Sequence, residues 1–594
     1  MKNIRIYFIL LFFAVSPQLY SRPYVGYLYP AGISRNSRVR VVIGGQKLNG
    51  ITGASVSGKG IKVTKITSVR YFPHPDNEQR KYLQQWIRKI ESGDTSAPPV
   101  PETAVNWRKH PWWQILDQLP HLEFELVKRN LYIRKNSLQD NPSLRQLLII
   151  DLEAAADAEI GMHELVIWNR KGKVSAPKLF FVDALPHQAE GGFKIPQFPE
   201  KTPPKIEKLP VILNGQIMPG ETDSFQIFLS RGVRYAFRCY GRKFQPFIGD
   251  AVPGHFQMVL QILSPSGKTA AFADDNGSDP DPVLYFTPQR RGFYTLQVRD
   301  NLYRGREDFV YRIVVEPLTA EAEHKISDPF PQIRKVAAED TLNKVFPADS
   351  PVVFHGTLKH RGEKDSFLFK GKKGEVFSVR GAAKSNGSEL DAAVRIFNRN
   401  NQLLAQADDT PHQFNVGEVL QQSDPVLDFV FPEDGIYRLE ISDVTGKGSK
   451  KHFYHLYCGR KWQDFNVYTT VASASAAPGG ESQVPLLIGR VGDFSGKITI
   501  RNKNIPGGKV TLPEKSTKGS LTLINNNKFR TPPEKLEFYA EAEINGKIVR
   551  KKVIPCEVFN QAFAYDHLLP MQNFYFGTPY RNSKTVKKAS KSGK

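Results

Sequence analysis

Apolar and polar positions alternate with a period of two along much of this chain. Tyr294, Leu296 and Val298 alternate with Thr295, Gln297 and Arg299; Tyr437, Leu439 and Ile441 alternate with Arg438, Glu440 and Ser442. Phe225, Ile227 and Leu229 repeat the pattern, as do Met258, Leu260 and Ile262. One apolar face at that period predicts half-buried β-strands. Turn-forming runs separate them, among them Ser264-Pro-Ser-Gly267, Asp274-Asp-Asn-Gly277, Asn398-Arg-Asn-Asn401 and Pro432-Glu-Asp-Gly435. One stretch departs from this rhythm. After Asp76, which suits a helix N-cap, Tyr82, Trp86 and Ile90 fall at helical spacing with Leu83 and Ile87 beside them. Ser92 to Pro101 breaks that helix, and Trp107 to Leu119 is short and aromatic. The expected fold is all-β, a row of β-sandwiches with a small helical insertion.

The strand pattern is written twice. Asp223-Ser-Phe-Gln-Ile-Phe228 returns as Asp365-Ser-Phe-Leu-Phe369, and Asp281-Pro-Val-Leu-Tyr-Phe286 as Asp424-Pro-Val-Leu-Asp-Phe429. Gly292-Phe-Tyr-Thr-Leu-Gln-Val-Arg-Asp300 returns as Gly435-Ile-Tyr-Arg-Leu-Glu-Ile-Ser-Asp443, and Tyr311 as Tyr454. Ala273-Asp-Asp275 returns as Ala407-Asp-Asp409 at a shorter spacing, so length changes fall in the loops beside it. Two copies of one domain account for this most simply.

Asn214-Gly-Gln-Ile-Met-Pro-Gly-Glu-Thr-Asp-Ser-Phe225, the Ala-Asp-Asp turn and the strand Gly292 to Asp300 resemble the bacterial pre-peptidase C-terminal (PPC) domain. Both copies carry the resemblance, at 210–317 and 352–459, and it implies jelly-roll-like sandwiches. The family's acidic Glu-Pro-Asn-Asp lead-in precedes neither copy. Ahead of them, Tyr29-Pro-Ala-Gly-Ile and Gly44-Gly-Gln-Lys-Leu48, with Gly161-Met-His-Glu-Leu-Val and Ser175-Ala-Pro, resemble an IPT/TIG immunoglobulin-like domain over 24–185, interrupted by the helical insertion at 76–146. Pro186 to Leu209 is rich in Pro, Lys and Glu and reads as a linker. The second linker is 318–351, with short helices expected at Ala320–His324 and Ile333–Leu342. After Trp462 a further immunoglobulin-like sandwich is expected over 463–568, followed by a disordered basic tail, 569–594. The whole order resembles a group of exported multidomain proteins of planctomycete-type bacteria that end near an Ala-Phe-Ala-Tyr-Asp-His-Leu motif, here Ala562 to Leu568. No activity comes with that resemblance.

Composition sharpens the compartment. Lys2 and Arg5 precede the apolar run Tyr7 to Val15, which is too short to span a bilayer and reads as a signal peptide over 1–21. No later segment is apolar enough for a membrane span, so export to the periplasm, cell surface or medium is expected. The 594 residues carry a net charge of +23, which either solvates a scattered basic surface or attracts an anionic polysaccharide or envelope surface. The scatter does not single out nucleic acid. Cys239, Cys458 and Cys556 are odd in number and lie far apart, as buried free thiols do.

Little in the chain points to catalysis. There is no Gly-x-Ser-x-Gly elbow and no phosphate-binding glycine loop. His163-Glu164 opens like a zincin motif, but Ile167 stands where the second histidine belongs. His452 and His455 face opposite sides of one strand. Two constellations remain. Trp107, Trp112 and Trp113 suggest a carbohydrate-stacking face, against the plainer account that they anchor the insertion. Asp274, Asp275, Asp281 and Asp300, with their counterparts Asp408, Asp409, Asp424 and Asp443, would supply oxygen ligands for calcium if they gathered at one end of each sandwich; the PPC resemblance adds that some such modules, notably in collagenases, bind calcium. The plainer account is that Asp suits turns. The expected function is a non-catalytic exported binding or scaffold protein; the alternative is an accessory partner of a separate secreted peptidase or other hydrolase.

Overall fold

The computed structural model describes residues 22–132, 141–190, 202–247, 254–275, 280–318, 333–409, 424–502, 507–526, 532–561 and 565–578. Residues 1–21, expected to be a signal peptide, and residues 579–594 of the expected tail lie outside them. The all-β reading holds: strands fill two-layered sandwiches, and among the described residues the two α-helices lie within one insertion.

In the first sandwich, the strands Tyr24–Tyr29, Ser37–Gln46, Gln146–Ala154 and Ile61–Val69 form one sheet in that order. Gly32–Ser34, Lys178–Asp183, Gly161–Asn169 and Ile51–Val56 form the other. The insertion leaves after Ile61–Val69 and re-enters at Gln146–Ala154, which are neighbours in the sheet, with Val69 paired to Leu147. The ladder therefore holds the ends of the insertion together, and its length costs the sandwich little. Helix α1, Asn77–Glu91, begins at Asp76, whose carboxylate accepts the Gln79 N–H at 2.7 Å. It buries Leu83, Trp86 and Ile87. Helix α2, His121–Tyr132, was not distinguished in the sequence, because it is buried nearly all round and mixes charge with apolar side chains. Its charges are paired: Glu123 with Arg40 at 2.6 Å, and Lys128 with Glu91 at 2.6 Å.

The two repeats share one topology. In the first, Lys205–Ile206, Thr222–Leu229, Gly292–Asp300, Met258–Leu263 and Thr269–Ala273 form one sheet. Val283–Phe286, Tyr235–Tyr240, Val310–Pro317, Val211–Gln216 and His187–Ala189 form the other. The second repeats both orders strand for strand between Arg334 and Arg460, down to a bulge after Ile262 that recurs after Ile396. Each core is a set of inward side chains from both sheets, such as Phe225, Leu296 and Ile313 in the first and Phe367, Leu439 and Leu456 in the second.

Three segments differ from the sequence reading. Pro186 to Leu209 supplies two edge strands, His187–Ala189 and Lys205–Ile206, each parallel to its neighbour. Residues 333–342 form the strand Arg334–Ala337 and a 3₁₀ turn rather than a helix, because Arg334–Ala337 pairs with Val352–His355; Ala320–His324 lies outside the described residues. Within the expected tail, Phe574–Gly577 is a strand. Phe574–Gly577 pairs with Ser473–Ser475 and Glu534–Leu536 and buries Phe574 and Phe576 in the last core, so two aromatic residues outweigh the polar composition around them. That last domain is built from Asp464–Thr469, Glu481–Val491 and Lys518–Ile524 on one side and Lys509–Leu512, Ile498–Asn502, Phe538–Ile544 and Lys547–Lys552 on the other.

The first sandwich is a hub. Its Asp183 receives a two-pronged bond from Arg312 of the first repeat, both arms 3.0 Å, and that guanidinium lies 4.0 Å from the Phe181 ring centre. Its Arg22 pairs with Glu557 of the last domain at 2.7 Å. Buried Glu164 accepts the Gln572 N–H at 2.6 Å and the Asn573 side chain at 2.8 Å. Burial raises the Glu164 pKa despite these bonds. Lys178, also buried, donates to Gln245 of the first repeat at 3.0 Å and faces the Phe559 ring of the last domain at 4.8 Å.

Candidate functional site

The aromatic part of the insertion is organised by His110. Pro111 opens a 3₁₀ turn, Pro111–Gln114, and the His110 Nδ1 accepts the Trp112 N–H at 3.2 Å. Its Nε2 lies 3.2 Å from the Arg70 carbonyl oxygen, to which it must donate, so the ring is the neutral Nε2–H tautomer. Burial lowers its pKa, in keeping with that assignment. Around it sit Phe72 at 4.5 Å, Trp113 at 5.7 Å and Trp112 at 5.8 Å between ring centres. Trp113 is 4 % exposed and belongs to the core. Trp112 is half-buried, and so is Trp107, which packs on Tyr82 at 5.0 Å. Tyr71 next to Phe72 is 45 % exposed, with the Arg145 guanidinium 5.6 Å from its ring centre. Arg70, Lys81, Arg108 and Lys109 are exposed beside these rings. The three tryptophans thus divide: one anchors the insertion, and two keep part of a ring at a basic surface.

Among the described residues none of the eight aspartates belongs to a group of three converging carboxylates. Asp274, Asp275, Asp408 and Asp409 are exposed at the ends of edge strands. Asp281 is buried and accepts the backbone N–H groups of Gly241, Arg242 and Lys243 at 2.9 to 3.3 Å. Asp424 does the same for Ala383, Lys384 and Ser385 at 2.8 to 3.1 Å. Asp300 accepts from Gln257, Leu302 and Arg304, and Asp443 from Asp391, Thr445 and Lys447. Burial works against ionisation of Asp300 and Asp443, yet these bonds hold both below the usual carboxylate range. Such oxygens tie loops to the sheets, which is the turn chemistry of aspartate.

Among the described residues one group of three carboxylates does converge: Glu190, Glu221 and Asp223, with ligand oxygens all within 4.8 Å of one another. The Tyr311 hydroxyl donates to Asp223 at 2.6 Å and the Met218 N–H to Glu221 at 2.8 Å. Gly215 makes room for this, since a Cβ there would overlap the Tyr311 ring. The sequence held half of the signal, Gly220-Glu-Thr-Asp-Ser-Phe225 returning as Gly362-Glu-Lys-Asp-Ser-Phe367. The other half, Glu190, sits in the stretch read as a linker.

The three cysteines are free and buried. His163 and Glu164 lie on the strand Gly161–Asn169, with Glu164 turned into the contact with the last domain. Among the described residues no helix is long and apolar enough to cross a membrane.

The chain matches no protein-family profile and no curated protein. Among solved structures it is similar to the pre-peptidase C-terminal domain of a Bacillus anthracis collagenase, at 11% identity over 19% of this chain and 94% of that one, with a TM-score of 0.15. It is also similar to a Ruminococcus gnavus β-glucuronidase, at 7% identity over 34% of this chain and 36% of that one, TM-score 0.18. A third is the SGBP-B protein of the Bacteroides ovatus mixed-linkage glucan utilization locus, solved with a mixed-linkage heptasaccharide, at 10% identity over 73% and 74% of the two chains, TM-score 0.15. Likenesses this distant carry no activity to this chain.

Proposed function

We propose that this is a non-catalytic, exported binding or scaffold protein that holds an anionic polysaccharide of the envelope or matrix on the aromatic, basic face of its helical insertion. The observation that carries the reading is the partial exposure of Trp107 and Trp112, with exposed Tyr71 next in the chain to the Phe72 on which Trp112 packs, and with exposed Arg70, Arg108 and Lys109 next to these aromatics in the chain and Arg145 over the Tyr71 ring. Flat rings suit the apolar faces of sugars, and guanidinium groups suit carboxylate or sulfate substituents. The insertion is braced for such a role by α2 and by the His110 cluster, so the rings are held before a ligand arrives. Long-range attraction from the net charge of +23 would speed encounter with a polyanion.

The test is the affinity of the full chain for polyuronate or sulfated polysaccharide, compared with a neutral glucan, with Trp107→Ala and Arg108→Ala variants alongside. The reading expects a preference for the polyanion that weakens with salt, and a loss of about tenfold or more, near 1.4 kcal/mol, in each variant. Equal binding by the variants would discard this face. Salt-resistant capture of one secreted hydrolase would favour an accessory role.

A further inference from the structure

The last domain turns one sheet face to solvent. In its four-stranded sheet, Leu512, Ile498, Ile500, Phe538 and Ala540 point into the core, and the residues that alternate with them point out. The register fixes what stands side by side on the outer face. Lys509 lies opposite Arg501, Arg501 opposite Tyr539, and Tyr539 opposite Lys552, so one row crosses all four strands. In the next row Glu541 lies opposite Arg550. Arg501, Lys509, Arg550 and Lys552 are exposed, and Tyr539 is half-buried.

The row is cationic without a gap. The Arg550 guanidinium lies over the Tyr539 ring, 4.3 Å from its centre, and so fills the one place in the row that an aromatic residue holds. Glu541 sits between two guanidiniums, 3.3 Å from that of Arg501 and 3.6 Å from that of Arg550, and keeps both at the surface. Glu537 pairs with Lys552 at 3.2 Å. Four cations thus meet two carboxylates, and a guanidinium has five N–H donors, more than one shared carboxylate takes up. Lys509 directly opposite Arg501 is a cross-strand pair of like charge, which costs stability. A solvated sheet face has no need of that pair, and an anion lying on it would offset the repulsion.

We propose that this row is a second binding site for a linear anionic polysaccharide, lying across the strands with its carboxylate or sulfate groups on Lys509, Arg501, Arg550 and Lys552. Neighbouring strands stand about 4.8 Å apart, so the row spans about 14 Å, a run of a few sugar rings. The cations form a line rather than a field, which suits a chain. Guanidinium groups take carboxylate or sulfate two-pronged, and here both are held by their neighbours before the ligand arrives. The choice of polymer rests on the reading of the aromatic face; the charge of the row does not.

The experiment is calorimetric titration of the full chain with a short polyuronate oligomer at low and high salt, with melting temperatures recorded alongside. Wild type should show two sites, one of which high salt empties. Lys509→Glu turns the repulsive pair into an attractive one, so it should keep or raise the melting temperature while weakening the salt-sensitive site about tenfold or more. Arg501→Gln should weaken the same site. Trp107→Ala should remove the other site and leave this one. Two sites at wild-type affinity in both row variants would overturn the proposal. A row that takes anionic lipid vesicles and no uronate would overturn it too. Row variants that empty one site while Trp107→Ala changes nothing would uphold the row and discard the aromatic face.

Discussion

Asp281 and Asp424 stand at equivalent turns and hold three backbone N–H groups each. Replacing Asp424 with Ala takes the acceptor from those donors, in a loop whose first residue, Ala383, is buried. The expected loss is about 3 kcal/mol of stability, read by chemical denaturation of the full chain, and added calcium should not restore it. At this scale the sequence was legible in part. Recurrence located the carboxylates, yet the same residue at the same turn serves a backbone or an ion equally well, and only the direction of the neighbouring N–H groups separates the two. Trp113 and Trp107 show the same limit: identical side chains a few residues apart end in the core and at the surface, because the 3₁₀ turn after His110 rotates one inward.

Among elements, the strands were the most legible, since period-two alternation reports a half-buried sheet directly. The first helix was also legible through its cap and apolar stripe. Helix α2 was not, because burial on all sides erases the stripe. Connecting segments were misread for a related reason. An edge strand of three or four residues is too short for alternation, and His187–Ala189 and Arg334–Ala337 exist only because a neighbouring strand is there to pair with them. His110 links sequence to behaviour at this scale. Its pKa is lowered by burial, so its contribution to stability is present above the unfolded value of about 6.5 and is lost as pH falls through the lower folded value. Acidification should loosen the insertion and shift tryptophan emission to longer wavelength as Trp113 meets water. A His110→Phe variant should show a smaller change over the same range.

For the whole molecule, the hub arrangement makes polar side chains at domain contacts accountable for cohesion. Lys178 is held between the first repeat and the last domain, and burial pushes its pKa down to about 8. In the unfolded chain the value is about 10.4. Between these values the unfolded state binds more protons, so stability rises with pH. A Lys178→Met variant should lack that rise, and the difference between the two proteins should shrink steadily from pH 8 to pH 10 in denaturant titrations. No periodicity in the sequence announces such contacts: Lys178, Gln245 and Phe559 are far apart along the chain and unremarkable in their own strands and loops. The order of sandwiches could be read from repeats and turns; how they lean on one another could not.

The claim on which the account depends most is that the insertion's aromatic face meets the ligand. The most direct measurement is oxidative footprinting of the full chain with and without saturating anionic polysaccharide. A ligand on this face protects Tyr71, Trp107 and Trp112 and leaves buried Trp113 unchanged. Protection confined to the repeats or the last domain, or none at a concentration that saturates binding, would contradict it.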